Sequence, residues 1–229
     1  MRFRQFLNEA FTQANVSAED IFNDCQYYFK MVRLSGNPMK DWMWHGTKAI
    51  PSARHDVYVA DAKRDREPRD TPRQIHDAVN AHFMQRYGKP FRSGVFATGY
   101  YSDATIYARD HSAFALIPIG TFSWLCSADT SGEMRDLTGT WRRIYEETHE
   151  RLSKENPRLN AYAIDDLAIP EAIEELMTLM YESEWYFNES LMSCIHSENE
   201  IMIDCSKFYL VDRHSEVFKQ LYELAGGHQ

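Results

Sequence analysis

No apolar run in this 229-residue chain approaches the roughly 20 residues that span a bilayer. A membrane-crossing helix is therefore not expected. Residues 1–13 carry an early basic pair, but acidic and amide residues break up their apolar part, so they do not read as a secretion signal. Cysteine is scarce. Cys25, Cys126, Cys194 and Cys205 stand far apart and form no CxxC pair. That spacing argues against a zinc site or a disulfide framework and predicts reduced, mostly buried thiols in a cytoplasmic protein. Excess positive charge is missing too. Twenty-five Lys and Arg against 34 Asp and Glu leave a net charge of −9. A net anion is repelled by phosphate backbones, which disfavours a general nucleic-acid binder and leaves only a local basic patch for a specific RNA or DNA substrate.

Several motifs with a known mechanism are absent. No GxGxxG follows a strand and no GxxxxGK[ST] occurs, so neither a Rossmann nor a P-loop nucleotide site is indicated. There is no HExxH, and the nine histidines are scattered; His76 and His82, six apart, do not share a helix face, so no metal site is predicted. GxSxG is missing, which removes the hydrolase elbow.

What remains has the balance of an ordinary globular protein, 44% apolar and 26% charged, and is long enough to bury a core. Disorder, collagen-like repeats and coiled coil do not fit it. Aromatic residues, at 14%, are numerous enough to wall a flat ligand as well as to pack a core.

Local signals sketch the order of elements. Phe3, Phe6, Leu7 and Phe11 suggest a first helix, and Ser17 through Asp20 opens a second with a capping signature, running to about Arg33. Residues 1–36 form an N-terminal helical extension, because about 36 residues cannot hold a core alone; residues 37–229 form the main domain. Short strands are predicted at 42–45, 57–59, 93–98, 114–119, 122–126, 201–204 and 208–211. The clearest helix starts at Thr71 and Pro72, repeats Ile75, Val79, Phe83 and Tyr87 on one face, and stops at Gly88. Further helices are expected at 102–108 with Ser102 as cap, at 140–154, at 170–181 beginning with Pro170, and at 215–224. Strands cluster with helices between the clusters. That makes the chain α+β and disfavours a doubly wound parallel sheet.

Three segments carry chemistry. Trp44-His45-Gly46-Thr47 places a histidine at the end of a buried aromatic strand, followed by a glycine that lets a ligand approach the backbone. Gly94 to Thr98 followed by Gly99 to Tyr107 is a strand ending in a small hydroxyl residue and then a helix bearing a tyrosine, a pair able to wall a flat ring. Glu198-Asn199-Glu200 sets two carboxylates two apart where an apolar strand begins, so both face one side and can stabilise a cation. Each also has a plain structural reading: a half-buried turn histidine, a core tyrosine, a solvated strand edge.

Together, in this order, the three segments resemble the ADP-ribosyltransferases. Trp44-His45-Gly46-Thr47 is similar to the first motif of the histidine-bearing branch, which includes poly(ADP-ribose) polymerases and diphtheria toxin. Gly94-Val95-Phe96-Ala97 with Ser102 and Tyr107 resembles that branch's second motif. Asn199 to Asp204 resembles the polymerases' glutamate strand. Glu198-Asn199-Glu200 and Phe96-Ala97-Thr98 also resemble the Glu-x-Glu and Ser-Thr-Ser strands of arginine-modifying toxins, and residues 64–98 are similar to small transferase-like proteins of tailed bacteriophages. The resemblance spans about residues 40–212. It departs from the family where Val95 or Phe96 stands for a strand tyrosine, Ala104 for a serine, and His45 for the toxins' arginine.

The resemblance implies a fold of two packed, mainly antiparallel sheets, the split ADP-ribosyltransferase type, with peripheral helices. It implies an enzyme that uses NAD as co-substrate, cleaves the nicotinamide–ribose bond and transfers a single ADP-ribose unit to a macromolecule. The acceptor is protein, RNA or DNA, as for a toxin or a phage effector, and an antitoxin or inhibitor is a further candidate partner. A glycohydrolase using water, or a catalytically silent binding module, shares the same motifs. By the resemblance Glu200 stabilises the ribosyl cation, Glu198 orients or deprotonates the acceptor, and His45 contacts the adenosine-side ribose. Backbone groups of Gly46 hold the nicotinamide carboxamide, Tyr107 stacks on nicotinamide, Thr47, Phe96 and Thr98 belong to the cofactor-binding set, and Thr98 orients Glu200. Arg92 is the candidate for the pyrophosphate. The loop of about residues 186–197, with Trp185, Tyr186 and Phe187 as an aromatic hook, is expected to contact the target.

Overall fold

The computed structural model describes residues 11–32, 37, 40–47, 50, 56–62, 72–108, 113–127, 134–182, 186–188, 190–197 and 199–226. In chain order the elements are β1 (Thr12–Gln13), α1 (Ala18–Asp24), α2 (Gln26–Met31), β2 (Trp44–Gly46), β3 (Val57–Asp61), α3 (Arg73–Tyr87), a 3₁₀ turn (Phe91–Ser93) and β4 (Val95–Thr98). Then come α4 (Tyr101–Tyr107), β5 (Ala113–Pro118), β6 (Ser123–Ser127), α5 (Met134–Glu155), α6 (Ala161–Glu182), β7 (Tyr186–Phe187), α7 (Leu191–His196), β8 (Glu200–Asp204), β9 (Lys207–Val211) and α8 (Glu216–Leu224). The architecture is α+β, and the strands join in the order β1-β3-β9-β5-β2-β4-β8-β6-β7 with every neighbouring pair antiparallel.

That order cannot lie flat. β8 and β9 are four places apart, which at about 4.8 Å per strand is about 19 Å in a flat sheet. Only Cys205 and Ser206 join them, and three chain steps reach at most about 11 Å. The sheet therefore folds over on itself. It is thinnest between β2 and β4, where one residue pair, Trp44 opposite Thr98, holds the two halves together.

Burial follows the fold-over. Phe114, Leu116, Phe208 and Leu210 of one half share a core with Val95, Ala97, Ile201 and Ile203 of the other. On the far side of the first half, Trp44 meets Phe218 of α8, with Trp42 and Tyr28 packed alongside. On the far side of the second half, Leu125 and Met202 meet Ile75, Val79 and Phe83 of α3 together with Trp141, Ile144, Ala172 and Leu176 of α5 and α6. The described part of residues 1–36 belongs to this body: Ala18, Ile21, Cys25 and Tyr28 are buried in the first core, and the Tyr209 hydroxyl donates to Asp24 at 2.8 Å.

Local chemistry explains most element ends. Ser17 and Asp20 form a reciprocal capping box on α1. Gly88 closes α3 in the left-handed conformation at φ 73°, and Ser215 caps α8 by accepting from the Phe218 N–H at 3.1 Å. Other expectations need correction. The single helix to Arg33 breaks at Cys25, whose backbone leaves helical geometry while its side chain stays buried. α4 starts one residue earlier than expected, and Ser102 bonds Asp103 instead of capping it. Pro170 does not begin a helix but lies inside α6, where Ile164, Ala168, Ala172, Leu176 and Met180 run as one buried stripe through it. Continuous packing outweighs one missing hydrogen bond there. The helix expected near residue 3 and the cap at Thr71 fall outside the described residues.

The cysteines also differ from expectation. Cys126 of β6 and Cys194 of α7 are joined in a disulfide, while Cys25 and Cys205 are free and buried. A separation of 68 residues along the chain hides their proximity in space. Among the described residues no helix is long and apolar enough to cross a membrane.

Candidate functional site

Three neighbouring strands, β2, β4 and β8, bring the segments singled out by sequence together. Thr98 at the end of β4 stands opposite Glu200 at the start of β8 and opposite Trp44 of β2. The three Cα positions thus form one row across about 10 Å. Directly opposed residues share a face, so Thr98 and Glu200 look the same way.

His45 follows Trp44 at the point where β2 parts from β4. Its ring spans the opening, with Nδ1 2.7 Å from the Phe96 carbonyl oxygen. A carbonyl only accepts, so Nδ1 carries the proton and a neutral ring keeps its lone pair on Nε2. The side chain is buried, edge-on to Phe208. Gly46 ends β2 opposite Ala113, and Thr47 beyond it is buried.

The Thr98 hydroxyl accepts the Tyr100 N–H at 3.2 Å and so turns the chain from β4 into α4. Glu200 is partly exposed, with one carboxylate oxygen shielded from solvent. Phe96 packs with the α3, α5 and α6 core while its carbonyl serves His45. Arg92 lies in the 3₁₀ turn and is 5% exposed. Its backbone N–H donates to Asn80 Oδ1 at 3.0 Å, and its carbonyl lies 3.4 Å from His76 Nε2. Burial, and then the Arg92 charge, hold the His76 imidazole below its ordinary value against the pull of Asp77.

Tyr186 lies within electrostatic reach of both Arg92 and Glu200. Burial pushes its phenol up; the Arg92 cation opposes that shift and the Glu200 carboxylate adds to it. Its ring meets Phe83 edge-on at 4.8 Å, and its carbonyl accepts the Tyr87 hydroxyl at 2.8 Å. Tyr186 is thus a core residue of β7 and not part of an exposed hook. Glu198 and Trp185 lie outside the described residues, as do the side chains of Phe187 and of Tyr107, whose backbone ends α4.

A feature the sequence reading missed lies beside this row. Lys40, Tyr100, Ile195 and His196 line a pocket of about 270 Å³. Asp41, fully buried, places Oδ1 3.9 Å from His196 Nε2, and the Tyr100 hydroxyl donates to the His196 carbonyl at 3.4 Å. A charged residue directly before the buried aromatic run Trp42 to Trp44 is the sequence signal that could have drawn attention to it.

Gly99 fixes α7 against this corner. A Cβ on Gly99 would overlap the Ile195 backbone carbonyl, which no side-chain rotation relieves. Gly99→Ala is expected to lower stability by about 3 kcal/mol in chemical denaturation. A midpoint within error of the parent would contradict this close approach.

Among the described residues no group of three or more His, Cys, Asp or Glu is placed to hold a metal ion. No protein-family model, curated protein or solved structure matches the chain.

Proposed function

We propose that this chain is a mono-ADP-ribosyltransferase that takes NAD as co-substrate. The observation carrying this reading is the row Trp44, Thr98 and Glu200 across β2, β4 and β8, which sets buried His45, the residue after Trp44 at the strand opening, two strands from a partly exposed carboxylate. The folded-over antiparallel sheet, held at its thinnest point by Trp44 and Thr98, supports a split-sheet transferase fold.

The chemistry needs few groups. Breaking the nicotinamide–ribose bond develops positive charge on the ribose, as in glycoside hydrolysis. Glu200 supplies the compensating negative charge and accepts from a ribose hydroxyl. His45 offers Nε2 to a hydroxyl of the adenosine-side ribose while Nδ1 stays on Phe96. Nicotinamide leaves as a neutral molecule carrying the bonding pair, and the acceptor adds to the opposite face of the sugar. Shielding one Glu200 oxygen strengthens its interaction with a developing cation.

The test is incubation of the purified chain with NAD labelled in the adenylate, with and without cell lysate. Nicotinamide release together with label on macromolecules is the expected outcome. Release without label would replace transfer by hydrolysis, and the absence of both would reject the reading.

A further inference from the structure

Behind the pocket wall that His196 forms stands the buried Asp41 carboxylate, and neither group has a role in cleaving the nicotinamide bond. His196 stands at the end of α7, and its Nε2 points toward the Asp41 carboxylate, 3.9 Å away and fully buried. Tyr100 holds the His196 backbone from the opposite wall. Four chain steps separate His196 from Glu200, so their Cα atoms lie within about 14 Å. Tyr100 is likewise bonded to Thr98, the register partner of Glu200. The pocket and the carboxylate therefore share one corner of the molecule.

Resting on the transferase reading above, we propose that this pocket receives the acceptor and that His196, backed by Asp41, is the base that deprotonates a hydroxyl side chain of a protein. A buried carboxylate behind an imidazole holds it with Nε2–H toward the acid and Nδ1 free to accept a proton, and it stabilises the imidazolium that forms. The long separation is of the kind that tightens when substrate binds.

The lining selects the acceptor. A guanidinium or ammonium would be repelled by the Lys40 ammonium. A carboxylate is already ionised and has no need of a base. A hydroxyl is neutral, a poor nucleophile until its proton is removed, and small enough for about 270 Å³. The net charge of −9 favours a protein over a nucleic acid. Lys40 is further suited to an acidic residue flanking that hydroxyl. In the step, the acceptor oxygen bonds to the ribose carbon as the carbon–nitrogen bond to nicotinamide breaks. The hydroxyl proton passes to His196 Nδ1, and nicotinamide departs with the electron pair. Lys40, Asp41 and Tyr100 are the titratable groups that face His196 in the described structure.

The experiment compares His196→Gln and Asp41→Asn with the parent in three readouts. His196→Gln is expected to lower transfer to lysate protein about 100-fold or more, to leave nicotinamide release to water within threefold, and to abolish the acidic limb of the transfer pH profile. The label should survive neutral hydroxylamine, which cleaves esters but not O-glycosides, and should resist nucleases. Equal loss of transfer and release, hydroxylamine-labile label or nuclease-sensitive label would each overturn the proposal. Independently of turnover, the His196 side-chain NMR resonances of the folded protein should shift on Asp41→Asn. Unmoved resonances would overturn the pairing. If Asp41→Asn does not fold, the split between transfer and release in His196→Gln decides. A parent that releases no nicotinamide at all sinks the transferase reading, whereas the NMR result still judges the pair.

Discussion

Glu200→Gln is expected to lower the turnover of nicotinamide release by two to three orders of magnitude, about 2.7–4 kcal/mol of transition-state stabilisation, with little change in KM for NAD. The split follows from where charge sits along the reaction. Ground-state NAD carries its positive charge on the pyridinium, and the ribose becomes cationic only as the bond breaks. A carboxylate beneath the ribose therefore acts mainly on the transition state. Glutamine keeps the shape and can still accept from a hydroxyl, but it lacks the charge. The fold should tolerate it. Glu200 starts β8 at a partly exposed position, and strand pairing with Thr98 uses backbone groups. Thermal unfolding run beside the kinetics separates the two effects. Near-parental turnover, or loss of turnover accompanied by loss of the folded state, would remove Glu200 from its assigned role.

The elements that sequence alone revealed are those with local causes. The Ser17–Asp20 box and the left-handed Gly88 each depend on residues within a few positions, and both are found in the structure. β8 was legible as a short apolar strand, but its two faces were not: Ile201 and Ile203 belong to one core, and Met202 belongs to the other. The row at the site was legible as three segments in order, but not as a register, because pairing Thr98 with Glu200 depends on contacts about a hundred residues apart.

Where local rules misled, a tertiary contact had outvoted them. Pro170 is a sound helix start by propensity, yet the stripe from Ile164 to Met180 continues through it against α5. Ser102 is a sound cap, yet the turn from β4 is already held by Thr98 and Tyr100. Tyr186 sits in a stretch that reads as an exposed aromatic loop, yet pairing with β6 turns its ring onto Phe83. Asp41 and His196 have no local signature as a pair, since 155 positions separate them in the sequence.

Removing the Cys126–Cys194 link, by Cys194→Ser or by reduction in denaturant followed by refolding, is expected to cost about 4 kcal/mol and to lower Tm by roughly 10 °C. The magnitude follows from the closed loop of 68 residues, whose restriction in the unfolded chain is lost with the bond. The position of the link adds a local consequence. Cys126 stands opposite Ile201, next to Glu200, and Cys194 lies six residues before Glu200 on α7. The bond therefore fastens the segment that leads into the carboxylate onto the strand beside it. Without it α7 keeps its contact with Gly99 and Tyr100 but loses its covalent anchor. Hydrogen exchange across residues 190–197 should rise, while α3, which packs on a different core, stays protected. Transfer should suffer more than nicotinamide release, because Ile195 and His196 line the acceptor pocket whereas His45 stands on β2. Thiol counting checks the premise: alkylation of the unreduced protein in denaturant should modify the two free cysteines, Cys25 and Cys205, and reduction should expose the other pair. Four alkylated thiols before reduction, or an unchanged Tm in Cys194→Ser, would show that α7 is held by packing alone.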